Sequence, residues 1–256
     1  MKCHAPATER NRVFLLEVLR RVLSDRREVL EIASGTGQHA VFFAATLAHL
    51  RWQPTDRDPA ALASIEAWRA EAGLPNLAPA RALDVGAPRW PVEYADAMVC
   101  INLIHIAPWS ASVALFEGAA RLLPAAAPLV SYGPYRFGGR TAPSNDAFDA
   151  SLRAQDASWG VRDVDDLTAL AQRTGFELEE VVPMPANNHT LVWRRRSQGQ
   201  GTLPAQARPE GPGARPNEPP NPRKSARPIT PSPLESISGF QPELALVFPK
   251  ACPRVR

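Results

Sequence analysis

Glu31, Gly35 and Gly37 fall within one seven-residue window, and their types and spacing admit a definite chemistry. The run Val29-Leu30-Glu31-Ile32-Ala33-Ser34-Gly35-Thr36-Gly37-Gln38-His39-Ala40-Val41 reads as a short buried strand, a tight turn and the start of a helix. Val29, Leu30 and Ile32 supply the bulky or β-branched residues of the strand. Gly35 and Gly37, with Ser34 and Thr36 beside them, open backbone angles closed to other residues. They also let a ligand reach the main chain, where a helix N-terminus presents unpaired N–H groups. Glu31 sits at the strand end, four residues before the first glycine, and suits a ligand with positive charge. Ala40 stands where a third glycine completes a dinucleotide turn, a replacement such turns accept.

Further polar residues fall at the ends of apolar runs. Residues 51–56 read as the next strand, with Asp56 at its end. A carboxylate there can accept both hydroxyls of a ribose. Helix capping has another candidate in Asp58, which precedes Pro59, so Asp56 is left available. Residues 95–106 are almost continuously apolar, as in a central strand covered on both faces. Asn102 and His105 interrupt that run at its carboxyl end, where open α/β sheets bind ligands. Asn102 has the alternative of bonding the local turn, and His105 that of a satisfied semi-buried histidine. With a pKa near neutrality, His105 is the first candidate base. Trp109 is a candidate pocket wall. Tyr132 and Tyr135 close the run 128–135, again at a carboxyl edge. With Asn187 and Asn188 they are candidates to orient a substrate, and Tyr132 is also a candidate catalytic group.

The elements that must hold these residues alternate between two periodicities. Helices are expected over residues 9–24 (capped by Thr8), 38–49, 59–72 (closed by Gly73), 112–123, from about 147, and to about 174 after Asp163. Strands are expected over 29–32, 51–56, weakly over 77–83, then 95–106, 128–135, 176–182 and 189–195. Ser144, Asn145 and Asp146 are expected to cap the helix near 147, and the loop 136–145 has the position of a substrate lid. Such alternation predicts an α/β domain with a mostly parallel sheet.

Composition bounds the partners. The chain has 256 residues, 45% hydrophobic and 21% charged, enough for one α/β domain with a full core. Of its 27 prolines, 13 lie after Arg195. Residues 1–195 hold 20 Lys+Arg and 22 Asp+Glu, while the remainder holds 9 and 4. The basic excess therefore belongs to the tail and gives no nucleic-acid-binding face to the domain. Cys3, Cys100 and Cys252 form no disulfide framework and have no zinc spacing, so no metal is expected. No run of about 20 apolar residues predicts a membrane span, and the first residues lack a signal-peptide core. A cytoplasmic or nuclear setting is the default expectation. The organisation expected is a flexible N-terminus over 1–7, a domain over 8–195, and a disordered Pro/Arg-rich tail over 196–256.

The Glu-x-x-x-Gly-x-Gly arrangement of residues 31–37 resembles the first motif of class I S-adenosylmethionine-dependent methyltransferases. The resemblance narrows through Glu-Ile-Ala-Ser-Gly-Thr-Gly-Gln-His (31–39), Gln-Pro-Thr-Asp (53–56), Asn-Leu-Ile-His-Ile-Ala-Pro-Trp (102–109) and Tyr-Gly-Pro-Tyr (132–135). Pro-Ser-Asn (143–145), Trp-Gly-Val-Arg-Asp (159–163) and Met-Pro-Ala-Asn-Asn (184–188) extend it. Together they are similar to a branch whose animal members are called methyltransferase-like protein 26. The resemblance implies a Rossmann-like sheet of seven strands with helices on both faces and an antiparallel last strand. It implies S-adenosylmethionine as cofactor, with Glu31 near the methionine end, Asp84 near the adenine amino group, Val85 as an apolar wall, and Asn11 on a helix closing over the site. The partner would be a small-molecule or protein methyl acceptor. A cofactor-binding scaffold without turnover and an NAD(P)-dependent oxidoreductase, which shares the glycine turn, are the rival expectations.

Overall fold

In the computed structural model, residues 1–197 are described. Alternate residues of the central strands point into two separate cores, one on each face of the sheet. In β1 (Glu28–Ile32), Val29 enters one core, and Leu30 and Ile32 the other. In β4 (Ala97–Ile101), Ala97 and Val99 oppose Met98 and Cys100. This period-two division of an unbroken apolar run is what a strand covered on both sides produces. α1 (Pro6–Val22) and α2 (Gln38–Thr46) fill the first core with Leu15, Leu19 and Phe43. α4 (Trp109–Leu122) and α6 (Val164–Thr174) fill the second with Leu115, Phe116 and Leu167.

The remaining elements are β2 (Arg51–Asp56), α3 (Pro59–Ala72), β3 (Arg81–Ala82), β5 (Pro128–Arg136), α5 (Pro143–Gln155), β6 (Arg162–Asp163), β7 (Phe176–Met184) and β8 (Asn188–Arg195). The sheet order is β3-β2-β1-β4-β5-β8-β7. All pairs from β3 to β5 are parallel, and β8 runs antiparallel to both β5 and β7. The chain reverses after β1, so β2 and β4 lie on opposite sides of it, and the carboxyl ends there form a crevice. An eighth strand was not expected: the two residues of β6 pair with the far end of β5. The expected strand over 77–83 shrinks to β3, apart from a single bridge between Trp52 and Leu77. Pro79 has no N–H for the ladder, and the Gln53 side chain bonds its carbonyl instead at 2.7 Å.

The ends of α3 and α6 are as expected. Asp58 accepts from Ala60 N at 2.9 Å, Asp163 accepts from Asp165 N at 2.9 Å, and Gly73 and Gly175 close the two helices. Two other starts are corrected. Ala5, not Thr8, caps α1, because Pro6 supplies the pre-set first helical residue. Likewise Pro143 opens α5, and Asn145 lies inside its first turn.

Residues 2–5, expected as part of a flexible lead-in, are held against α3. Cys3 N donates to Ser64 Oγ at 2.8 Å, Trp68 Nε1 donates to Cys3 O at 3.0 Å, and Lys2 pairs with Glu71. Cys100 is a buried free thiol, pushed up to about 12 by burial, as a small core residue would be. Of the tail expected to be disordered over 196–256, residues 198–256 lie outside the described residues.

Candidate functional site

A cleft of about 520 Å³ opens over the carboxyl ends of β1, β2 and β4. Its walls include Glu31, Ser34, Gly35, Thr36, Asp56, Asp84, Val85 and Asn102 from the sheet side, and Asn11 from α1. These nine were singled out from the sequence, and the fold gathers them around one space. Ala5, Ala7 and Thr8 close it from the same side as Asn11.

Gly35 has φ 56°, and an added Cβ would meet nothing within 4 Å. It is an open bend in the cleft wall. Gly37 differs and is not part of that wall. It caps α2 with φ 87°, and an added Cβ would stand 2.8 Å from Ile65 Cα. Its missing side chain lets α2 and α3 approach, so its part here is packing.

Glu31 is wholly buried in the cleft wall. Trp52 Nε1 donates to its Oε2 at 2.8 Å, and Ser34 also bonds it. Among the described residues no cation pairs with it. Burial, with Asp56 nearby, lifts its pKa to about 7. Asp56 accepts from Gly35 N and Asp58 N, each at 2.9 Å. Those bonds tie the end of β2 to the glycine bend; burial outweighs them and holds its pKa above the usual value. Arg57 bonds Asp56 through the backbone as well, which still leaves the carboxylate room to accept a further donor. Asp84 is exposed at the mouth and accepts from Gly86 N at 2.9 Å. Val85, Leu103 and Ile106 give the cleft an apolar end.

Other expected residues lie elsewhere. β4 ends at Ile101, and Asn102, with φ 64°, starts a turn. That turn swings His105 out of the cleft and into the interior, where it is 0% exposed. Neither ring nitrogen has a partner, and burial together with Arg162 lowers its pKa to about 3. A neutral histidine walled off by Gly133 and Tyr135 does not act as a base in this cleft. Tyr135 points into the second core and donates to Ser131 Oγ at 3.0 Å. Tyr132 faces the first core, its hydroxyl bonded to Asn11 behind the wall. Trp109 packs on the second core beneath Arg162, while its neighbours Pro108 and Ser110 line the cleft. Asn187 lies in the β7–β8 turn and Asn188 is the first residue of β8. Asn187 takes φ 57° and donates to Ser144 Oγ at 2.9 Å, and Asn188 bonds Pro185 O and Ala186 O. Both are holding the hairpin tip rather than lining the cleft.

The sequence reading passed over His39. It lines the cleft, stacks on Phe43 at 5.5 Å, and bonds Asn11 Oδ1 through Nε2 at 2.8 Å. Burial and then Arg12 lower its pKa to about 3. The signal was its place two residues after Gly37, on the first turn of α2. Thr8 was also missed as a wall residue, having been assigned to capping.

No helix among the described residues is long and apolar enough to cross a membrane, and no cluster there could hold a metal ion. The fold is that of S-adenosylmethionine-dependent methyltransferases. An O-methyltransferase family protein from Burkholderia thailandensis matches at TM-score 0.64 and 14% identity, over 73% of this chain and 56% of that one. The methyltransferase SibL in its apo form matches at TM-score 0.61 and 18% identity, over 74% and 56%. An O-methyltransferase family 2 protein from Planctomyces limnophilus, solved with apigenin, matches at TM-score 0.64 and 16% identity, over 72% and 56%. The chain spans little more than half the length of these structures. A family model matches from residue 2 to residue 195, so it takes in the docked N-terminal segment as well as the sheet. On that match the chain belongs to the family described as protein of unknown function DUF938.

Proposed function

We propose that this protein binds S-adenosylmethionine in the cleft and transfers its methyl group to an acceptor, either a small molecule or a protein side chain. Within the methyltransferase superfamily we place it in the branch of methyltransferase-like protein 26, on the motifs quoted above. The observation that carries the reading is Glu31: a buried carboxylate with no cationic partner among the described residues, in the wall of a cleft beside an open glycine bend. Such a group awaits a cation, because a lone buried charge is costly.

The donor set fits the cofactor along its length. Glu31 would face the charged amino-acid end, and the Gly35 bend leaves room for ligand atoms near the backbone. Ser34 and Thr36 flank that bend with hydroxyls. Asp56 would hold the ribose hydroxyls with its remaining acceptor capacity. Val85, Leu103 and Ile106 suit a flat base, with Asp84 at the mouth as an acceptor for an exocyclic amine and Asn102 between the two halves. The sulfonium would supply an activated methyl group with a neutral thioether to leave. What the protein must then provide is alignment and exclusion of water, and orientation alone is worth about 7–11 kcal/mol.

Calorimetric titration with S-adenosylmethionine tests this. Wild-type protein is expected to bind at micromolar concentration, and Asp56→Ala to bind at least about tenfold more weakly, through loss of charge-assisted bonds. Undiminished binding by the variant would remove Asp56 from the site, and absence of binding by the wild type would sink the reading. A binding-only scaffold is the second reading, favoured by the burial of His105. It would stand if cofactor binds but labelled methyl groups reach nothing in a fractionated cell extract. The oxidoreductase reading loses support, since a dinucleotide fold continues its parallel order where this sheet turns antiparallel.

A further inference from the structure

His39 is held by two neighbours and lines the cleft. Its ring lies flat on Phe43, with 8° between the planes. Asn11 Oδ1 can only accept, so the 2.8 Å contact puts the proton on Nε2. The Asn11 amide group is then free to donate to the hydroxyl of Tyr132. Arg12 lies over the adjacent Phe42 ring, and its charge opposes protonation of His39. Nδ1 is left with a lone pair and no hydrogen bond among the described residues. The residue is only 8% exposed, and it lines the cleft.

The network also has a direction. It starts on the first turn of α2, crosses α1 at Asn11, and ends at Tyr132 in the middle of β5, level with the last residue of β4. The groups suited to the nucleoside lie the other way, on β2, after β3 and after β4. The charged side chains on the cleft walls are Glu31, Asp56, Asp84 and Arg57, an acidic majority that repels anions.

We propose that Nδ1 of His39, held as a fixed acceptor by Asn11, accepts a hydrogen bond from the incoming nucleophile, so that the methyl acceptor is a neutral O–H or N–H group with a lone pair, and not a carboxylate. This rests on the proposed use of the cleft by S-adenosylmethionine. His39 orients the nucleophile so that its lone pair meets the methyl carbon. The O–H or N–H hydrogen remains on the acceptor until after transfer, when it is released to solvent.

The experiment uses two cofactor analogues as probes. S-adenosylhomocysteine carries nothing at the methyl position. Sinefungin carries an amine there, a donor placed where the nucleophile's hydrogen would arrive. Calorimetry on the full chain is expected to show that His39→Phe weakens sinefungin by about tenfold, as loss of a hydrogen bond to a charged group does, with S-adenosylhomocysteine within about twofold. His39→Asn, which keeps a polar atom near Nδ1, is expected to recover part of the loss, and melting curves check that both variants fold. Equal loss for both analogues, or no loss for either, would overturn the assignment of His39. Failure of the wild type to bind either analogue would instead overturn the cofactor reading itself.

Discussion

Glu31 carries the sharpest consequence at the scale of single residues. Its folded pKa of about 7 lies above the usual carboxylate value, so near neutrality the ligand-free protein is partly protonated there. A cationic ligand favours the ionised form. S-adenosylmethionine affinity should therefore rise by up to about tenfold between pH 6 and pH 8. The groups facing Glu31 are Trp52, Ser34, Asp56 and, through the sheet, Cys100; with Cys100 held as a thiol, none of them supplies a competing cation. Glu31→Gln should bind more weakly and lose the pH dependence, which titration at three pH values checks. An unchanged slope in the variant would assign the effect to another group.

At the scale of elements, the two glycines of the turn are unlike. Gly37→Ala drives a Cβ to 2.8 Å from the backbone of α3 and also requires φ 87° of a residue with a side chain. It should cost about 2–3 kcal/mol, read as a lower urea midpoint. Gly35→Ala meets open space and pays only the strain of its φ, about 1 kcal/mol, so its larger effect should fall on ligand binding. The sequence made both glycines legible as a turn but not which one faces the cleft, since that depends on how α3 crosses α2. The same limit explains the other differences. Asp58-Pro59 and Gly73 are local signals, and the ends of α3 followed them. Thr8 and Ser144 carried cap signals too, but Pro6 and Pro143 set earlier starts. The polar residues on β1 and β2 could be placed because strand ends and strand parity fix them. His105, Tyr135 and Trp109 could not, because their directions hang on the 102–106 turn and on packing against α4 and α6. His39 was hidden in an apolar helix and became part of the cleft wall only when α1 folded over it.

The pH response of the whole molecule follows from groups buried without charge partners. Glu31 has a raised folded pKa, so it favours the folded state at low pH and ceases to do so as pH rises from about 4.5 through 7. His39 and His105 have folded values near 3, so the stability they permit is present above pH 6.5 and drains away as pH falls toward 3. Two histidines outweigh one glutamate on the acid side, with a combined loss of several kcal/mol on the order set by one pKa unit per 1.4 kcal/mol. Urea midpoints should fall steeply between pH 6 and pH 4. His105→Leu should soften that fall, because it removes a ring that must charge on unfolding and two nitrogens that bond to nothing. A fall as steep in the variant would shift the acid sensitivity to other groups.

The strap of residues 2–8 closes the cleft yet is anchored outside it. Ala5 N reaches the side chain of Gln38, and Cys3 N reaches that of Ser64, so the strap is pinned to α2 and α3. If a ligand in the cleft has to pass this wall to leave, its departure would depend on how readily those pins release. The turnover clock of such a protein would then be set by a few residues that never meet the reacting atoms, and a bulky group fused ahead of Met1 would tug on the latch rather than on the chemistry.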